Sequence, residues 1–261
     1  MRNIIRAMNY QIRTDNFTLY AVLVGIGAFV LGLMDAPRGL IQITGGEYAA
    51  SSAMGTMVMI LPLCVMVLCT RICGWDQADK TINYEIMTGH SRNQVYFGRV
   101  IPSLIISVLL FYIILLLPLV FFTVKNGWGV NISFGGMALR LALMIFPLFR
   151  YCCFMILLTF LLRNCYTALI AGYFLTEIPS MFSILMDELL NVSVTWQLSV
   201  TNITSLVSFN SRMGFADGKD ITVYDAGLSA EFVVLTIAVS LAVGFAALFL
   251  GNLYFRKHDL K

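Results

Sequence analysis

The stretch Gly74–Val100, GWDQADKTINYEIMTGHSRNQVYFGRV, separates two long apolar runs, Ala53–Cys73 and Val100–Thr123. A plain helix–helix connector needs only about 2–8 residues. This one is far longer, and it is punctuated. Asp79 is placed to cap a helix over Lys80–Thr88. Within it Ile82 and Ile86, four apart, share a face, with Tyr84 and Met87 on its flanks. Gly89 follows as a C′ stop. Ser91 and Gln94 then have capping-box spacing and restart a helix that runs into the next apolar segment. A short helix, a sharp turn and a restart are the expected local structure.

The rest of the chain explains why such a polar insert matters. Hydrophobic residues make up 59% and charged residues 12%, against about 25% charged in soluble domains. That much apolar surface calls for a bilayer, and about 20 apolar residues suffice for one helical crossing. Six segments qualify: Phe17–Met34, Ala53–Cys73, Val100–Thr123, Met137–Leu161, Tyr166–Met186 and Ala230–Leu253. The expected fold is therefore an all-α membrane protein, one transmembrane domain over residues 1–261 with six transmembrane helices. No repeat or linker suggests a second domain.

Basic residues choose the orientation. One side carries Arg2, Arg6, Arg13, Arg71, Lys80, Arg92, Arg99, Arg163, Arg256, Lys257 and Lys261. The other carries Arg38, Lys125, Arg140, Arg212 and Lys219, among more acids. Eleven against five places both termini, and the 74–99 segment, in the cytoplasm. Arg140 sits near the end of its span, is placed to snorkel, and is given no role.

The first fifteen residues, MRNIIRAMNYQIRTD, are basic and amphipathic, unlike a cleavable signal peptide. Ile4, Ile5, Met8 and Ile12 share one helical face, opposite Arg2, Arg6, Asn9 and Arg13. An interfacial helix over 1–15 is expected. The segment 187–229 is the longest outside loop. Val192, Val194, Trp196, Leu198 and Val200 alternate, a pattern open to a strand. Short re-entrant or interfacial helices are the preferred expectation there.

Several chemistries are disfavoured. The six cysteines, Cys64, Cys69, Cys73, Cys152, Cys153 and Cys165, lie in or beside apolar runs and read as packing residues. The only histidines, His90 and His258, fall in cytoplasmic segments, and no span interior carries an aspartate. Neither serine/histidine nor paired-aspartate catalysis at membrane depth has its groups. No metal site is expected. The small net charge of +3 sits at span ends, so no nucleic-acid partner is expected.

Two charges do lie inside spans: Arg150 in the fourth segment and Glu177 in the fifth, at similar depth. Each alone at mid-membrane costs about 2.5–3.5 kcal/mol on insertion scales. A buried Arg150–Glu177 pair is expected, acting either as a folding clamp or in gating. Pro147 and Pro179 lie close by and each frees a backbone carbonyl.

The stretch DKTINYEIMTGHSRNQVYFGRV resembles the coupling segment of ATP-binding-cassette type 2 permeases. The family pattern of an acidic residue, Lys/Gly-Thr, a hydrophobic helix, a glycine and Ser-Arg falls on Asp76 or Asp79, Lys80, Thr81, Ile82–Met87, Gly89, Ser91 and Arg92. Lys80 stands where many members carry glycine. The amphipathic N-terminus, six spans and long loop before the last span also fit. The chain is closest in flavour to permeases of bacterial lantibiotic and peptide-antibiotic immunity exporters.

That resemblance implies a multi-pass subunit of a bacterial plasma-membrane exporter. It would pair with a second, identical or related permease subunit, on two copies of a separate ATPase. Asp79, Lys80, Thr81, Ile82, Glu85, Ile86, Gly89, Ser91 and Arg92 would be the coupling residues. ATP and magnesium would be held by the partner and no cofactor by this chain, which has no G-x-x-x-x-G-K-[ST] motif. The cargo implied is an amphipathic peptide or lipophilic toxin or drug, with sodium or polysaccharide as other family cargoes. The alternative from a different class is a membrane sensor or assembly partner that transports nothing.

Overall fold

The computed structural model describes residues 2–14, 19–20, 23–27, 30, 43–78, 81–176, 203, 206–207, 209–216 and 219–257. The elements are α1 (Arg2–Thr14), α2 (Gly45–Ala49), α3 (Ser52–Ala78), α4 (Thr81–Met87), α5 (Arg92–Asn126), α6 (Phe134–Leu143) and α7 (Ile145–Leu162). They continue with α8 (Cys165–Thr176), β1 (Asn210–Ala216), β2 (Lys219–Asp225) and α9 (Ala230–Lys257).

Among the described residues, four helical segments are long and apolar enough to cross a membrane: Ser52–Trp75, Arg92–Asn126, Phe134–Leu162 and Ala230–Lys257. Even the shortest, of 24 residues, exceeds an apolar core about 30 Å thick at a rise of about 1.5 Å per residue. Of the two other expected spans, Phe17–Met34 lies largely outside the described residues, though positions 19–20, 23–27 and 30 are helical. Tyr166–Met186 is helical through Thr176 and lies outside them beyond it.

Helix α3 is the centre of the bundle. Of its apolar stretch 67% is buried, against 22% for α9. It packs on α5 and α7, while α9 lies along α7. The core runs through Met54, Met57, Leu61, Val65 and Cys69 to Tyr151 and Ile156 on α7. All six cysteines are buried free thiols, as their apolar setting suggests. The expected fourth span is one apolar unit broken at Met144 between α6 and α7. Pro147 explains the break: it has no N–H for Leu143, and its ring crowds that carbonyl.

Helix α1 docks its apolar face on α5. Ile4 and Met8 are buried, and Ile4 packs so closely that a Cβ on Gly98 would lie 2.9 Å from its Cγ2. At the far end of α5, Asn126 donates to the Ile43 carbonyl at 2.7 Å. Gly45 and Gly46 donate to Gly127 and Trp128 at 2.9 and 2.8 Å. Thr44 and Glu47 close a capping box over α2.

Two expectations need correction here. The chain is not all-α: β1 and β2 form an antiparallel hairpin with Asn210 opposite Asp225 and Ala216 opposite Lys219. Its two-residue connection is Asp217-Gly218, the composition that tight hairpin turns favour. Part of the 187–229 loop is thus strand, where helices were preferred; residues 187–202, with the Val192–Val200 alternation, lie outside the described residues. The hairpin joins the bundle through Tyr224 N–H to the Asn131 carbonyl at 2.8 Å and Asn131 Nδ2 to the Thr222 carbonyl at 3.1 Å.

The second correction concerns Arg140, which does not snorkel. It is 5% exposed and caged by backbone. Nε donates to Ala226 at 2.9 Å, Nη1 to Leu206 at 3.2 Å, and Nη2 to Asp225 and Gly227 at 3.4 and 3.1 Å. Its guanidinium carbon also lies 4.6 Å from the Phe209 ring centre. An irregular segment has carbonyls with no regular partner, and a five-donor fork satisfies several at once.

Candidate functional site

The Gly74–Val100 stretch forms a helix–turn–helix at the N-terminal end of α5. Arg71 lies over the Trp75 ring, 3.2 Å from its centre, where α3 ends. Asp79 and Lys80 lie outside the described residues, as does the side chain of Asp76. Thr81 opens α4.

Seven residues are too few to hold a helix alone, so tertiary contacts must fix it. Ile82 supplies one: it is 1% exposed and belongs to the core. Ile86 packs half-buried beside it. The shared face read from their spacing therefore points into this chain. What faces outward is Tyr84, 69% exposed, and Met87, 83% exposed.

Glu85 supplies the second anchor. Its Oε1 accepts from Arg99 Nη2 at 3.0 Å, with Arg99 1% and Glu85 27% exposed. Glu85 Oε2 is buried and accepts no hydrogen bond among the described residues. Arg99 is one of the largest fully buried side chains of the molecule. Its backbone carbonyl also accepts a long contact from Cys73 Sγ of α3, at 3.9 Å.

The turn is built as its sequence suggests. Gly89 has φ +93°, the left-handed region where glycine carries no Cβ penalty. Gly89 N–H donates to Ile86 at 3.0 Å and His90 N–H to Glu85 at 3.4 Å. That crossed pair is a Schellman C-cap. Ser91 then caps α5: Gln94 N–H donates to Ser91 Oγ at 3.4 Å, and Ser91 N–H to Gln94 Oε1 at 3.3 Å.

From this restart, two side chains reach sideways. Arg92 Nη1 donates to the Arg256 carbonyl at 2.8 Å, near the C-terminus of α9, where a cation is favoured. Tyr96 donates its hydroxyl to the Leu248 carbonyl at 3.0 Å. Its ring packs on Phe160 at 4.7 Å and Phe255 at 6.1 Å between centres. Gly251 makes room: a Cβ there would lie 2.7 Å from the Tyr96 hydroxyl.

The structure thus brings Glu85, Gly89, Ser91 and Arg92 into one local assembly. Arg99 and Tyr96 belong to it too, and were not singled out from sequence. Their signal was available, because Arg92, Tyr96 and Arg99 sit at i, i+4 and i+7, one face of a helix.

Arg150 is buried on α7, 4% exposed, against α9 at Gly244. Glu177 lies outside the described residues, and so does any pairing between them. No group of three or more histidine, cysteine, aspartate or glutamate side chains suited to a metal occurs among the described residues. No protein-family model matches the chain, and no curated protein matches it.

Proposed function

We propose that this chain is the permease subunit of an ATP-driven exporter, with α4 as the docking element for a separate ATPase. The observation that carries the reading is the two-sidedness of α4. Its inner face is held by Ile82 and the Glu85–Arg99 pair, while Tyr84 and Met87 stand out from the polar end of a membrane bundle. Large apolar side chains presented on a fixed helix suit insertion into a partner's groove. On this reading the chain crosses a bacterial plasma membrane six times, with both termini and α4 in the cytoplasm, as its basic residues favour.

Two copies, or one with a related subunit, would sit on two ATPase subunits that hold ATP and magnesium. The resemblance to immunity permeases favours an amphipathic peptide or a lipophilic toxin as cargo. Co-expression with candidate P-loop ATPases from the same genome, followed by co-purification, tests the docking. Met87→Asp and Tyr84→Asp are expected to abolish ATPase binding while the subunit stays folded and membrane-inserted. If wild type captures no ATPase, or both variants capture it as wild type does, α4 is not the docking element. A non-transporting sensor would in addition leave ATP hydrolysis unaffected by cargo peptides.

A further inference from the structure

A push received by α4 is useful only if something carries it into the bundle. Ile82 anchors α4 by packing, which resists separation but is non-directional. The Glu85–Arg99 pair is directional, and it joins α4 to the third turn of α5. Along the same face of α5, Tyr96 and Arg92 are bonded to backbone carbonyls of α9 at Leu248 and Arg256. Those two bonds span 152 and 164 residues of sequence. Three consecutive positions of one stripe thus tie the docking helix at one end and the last helix at the other.

We propose that the Arg92–Tyr96–Arg99 stripe is a transmission element: Glu85–Arg99 clamps α4 to α5, and Tyr96 and Arg92 deliver the displacement to α9. These are positioning residues, and Glu85 serves the joint between α4 and α5 where the family resemblance would make it a partner contact. The geometry favours this division because Glu85 leans into the protein while Tyr84 and Met87 stand out of it. Helix α9 is suited to be the driven element, since it lies along α7, so that a displacement delivered to α9 is shared with α7, while only 22% of its apolar stretch is buried. A chain of contacts is not by itself evidence of coupling, so the test must read motion.

The proposal rests on α4 as the docking helix, and the experiment separates the two. The full-length protein in lipid nanodiscs carries spin labels on cysteines introduced at Met87 and Arg256, both exposed, while the native thiols are buried. Wild type is expected to give one narrow distance. Glu85→Ala and Tyr96→Phe are each expected to broaden it, and Glu85→Asp to restore it partly. Unchanged narrow distances in Glu85→Ala and Tyr96→Phe overturn the joint, whether or not any ATPase binds.

A second label pair, at the exposed Met59 of α3 and Phe245 of α9, reads the driven end with the ATPase bound. ATP trapped with vanadate is expected to shift this distance in wild type. In Glu85→Ala the shift is lost while ATPase binding and hydrolysis persist. Loss of ATPase binding in Glu85→Ala, as in Met87→Asp, would make Glu85 a docking contact and overturn the division of labour. Where Glu85→Ala fails to fold, Glu85→Gln takes its place; it keeps an acceptor for Arg99 and loses the charge, so the same losses are expected at smaller size.

Discussion

The two ends of the bundle each hold a buried arginine, Arg99 on α5 and Arg140 on α6, and the two are solved differently. Arg99 meets a side-chain carboxylate on a neighbouring helix. Arg140 meets four backbone carbonyls, one at Leu206 and three at the end of β2, of Asp225, Ala226 and Gly227. Around Arg99 the backbone is regular helix and already bonded, so the arginine is free to choose a side-chain partner. Around Arg140 the chain at Leu206 and where it leaves β2, at 225–227, presents carbonyls that take their donors from the arginine. A side-chain pair fixes one helix against another and can be exchanged. A carbonyl cage fixes a fold of backbone and cannot, because no substitution alters a carbonyl.

The largest expected effect follows from that contrast. Arg140→Ala removes every donor from the cage at once. With charge-assisted bonds contributing about 1.5–3 kcal/mol each and not additively, a loss of about 3 kcal/mol or more is expected. Thermal unfolding in detergent would show a lowered midpoint, and limited proteolysis would show early cleavage within 203–229. Arg140→Lys is expected to recover little, since three donors on one nitrogen cannot span carbonyls held by three separate guanidinium nitrogens. Recovery to wild-type stability by lysine would mean that the charge matters and the fork does not, and the contrast between the two ends would fail.

A middle-sized effect probes the Arg99 end. Gly251→Ala would set a Cβ 2.7 Å from the Tyr96 hydroxyl, forcing the ring away from the Leu248 carbonyl. Overpacking of this kind costs about 1–3 kcal/mol. The shift should appear as a lower unfolding midpoint and as altered fluorescence of a probe on the α9 C-terminus. Tyr96→Phe in the same background should remove most of the added cost, because the clashing atom is the hydroxyl. Equal costs in both backgrounds would place the strain elsewhere.

What the sequence made legible, and what it hid, divides along the same line. Local signals carried through: the Gly89 stop and the Ser91–Gln94 box both depend on residues within one helical turn of each other. Hydropathy carried the four long apolar helices for a similar reason, since crossing length is a property of a continuous run. Long-range pairing did not carry. Nothing in a 14-residue spacing marks Glu85 and Arg99 as partners, and Arg140 looked like any arginine near a span end. The face of α4 was legible as a face, but Ile82 spacing says only that a side is apolar, and what covers Ile82 is this chain's own core. The hairpin was a missed local signal: Asp217-Gly218 between Phe215 and the alternating Ile221 and Val223 is a readable turn, obscured by the expectation that a membrane loop would be helical.

The smallest expected effect isolates conformation from contact. Gly89 has no atom within 4 Å of where a Cβ would stand, so Gly89→Ala can act only through the backbone. Its φ of +93° lies where a side chain costs about 1–2 kcal/mol. Because the residue is exposed, that cost should fall on the end of α4 and leave the bundle intact. Hydrogen exchange is expected to quicken at Gly89 and His90, whose N–H groups make the crossed bonds, while the unfolding midpoint barely moves. Gly89→Asn should be milder, since asparagine enters the left-handed region more readily. If Gly89→Ala instead lowered the midpoint as far as Gly251→Ala, the turn would be part of the rigid core around Tyr96. The α4 helix would then be no separable arm, and the turn would unfold together with the core around Tyr96.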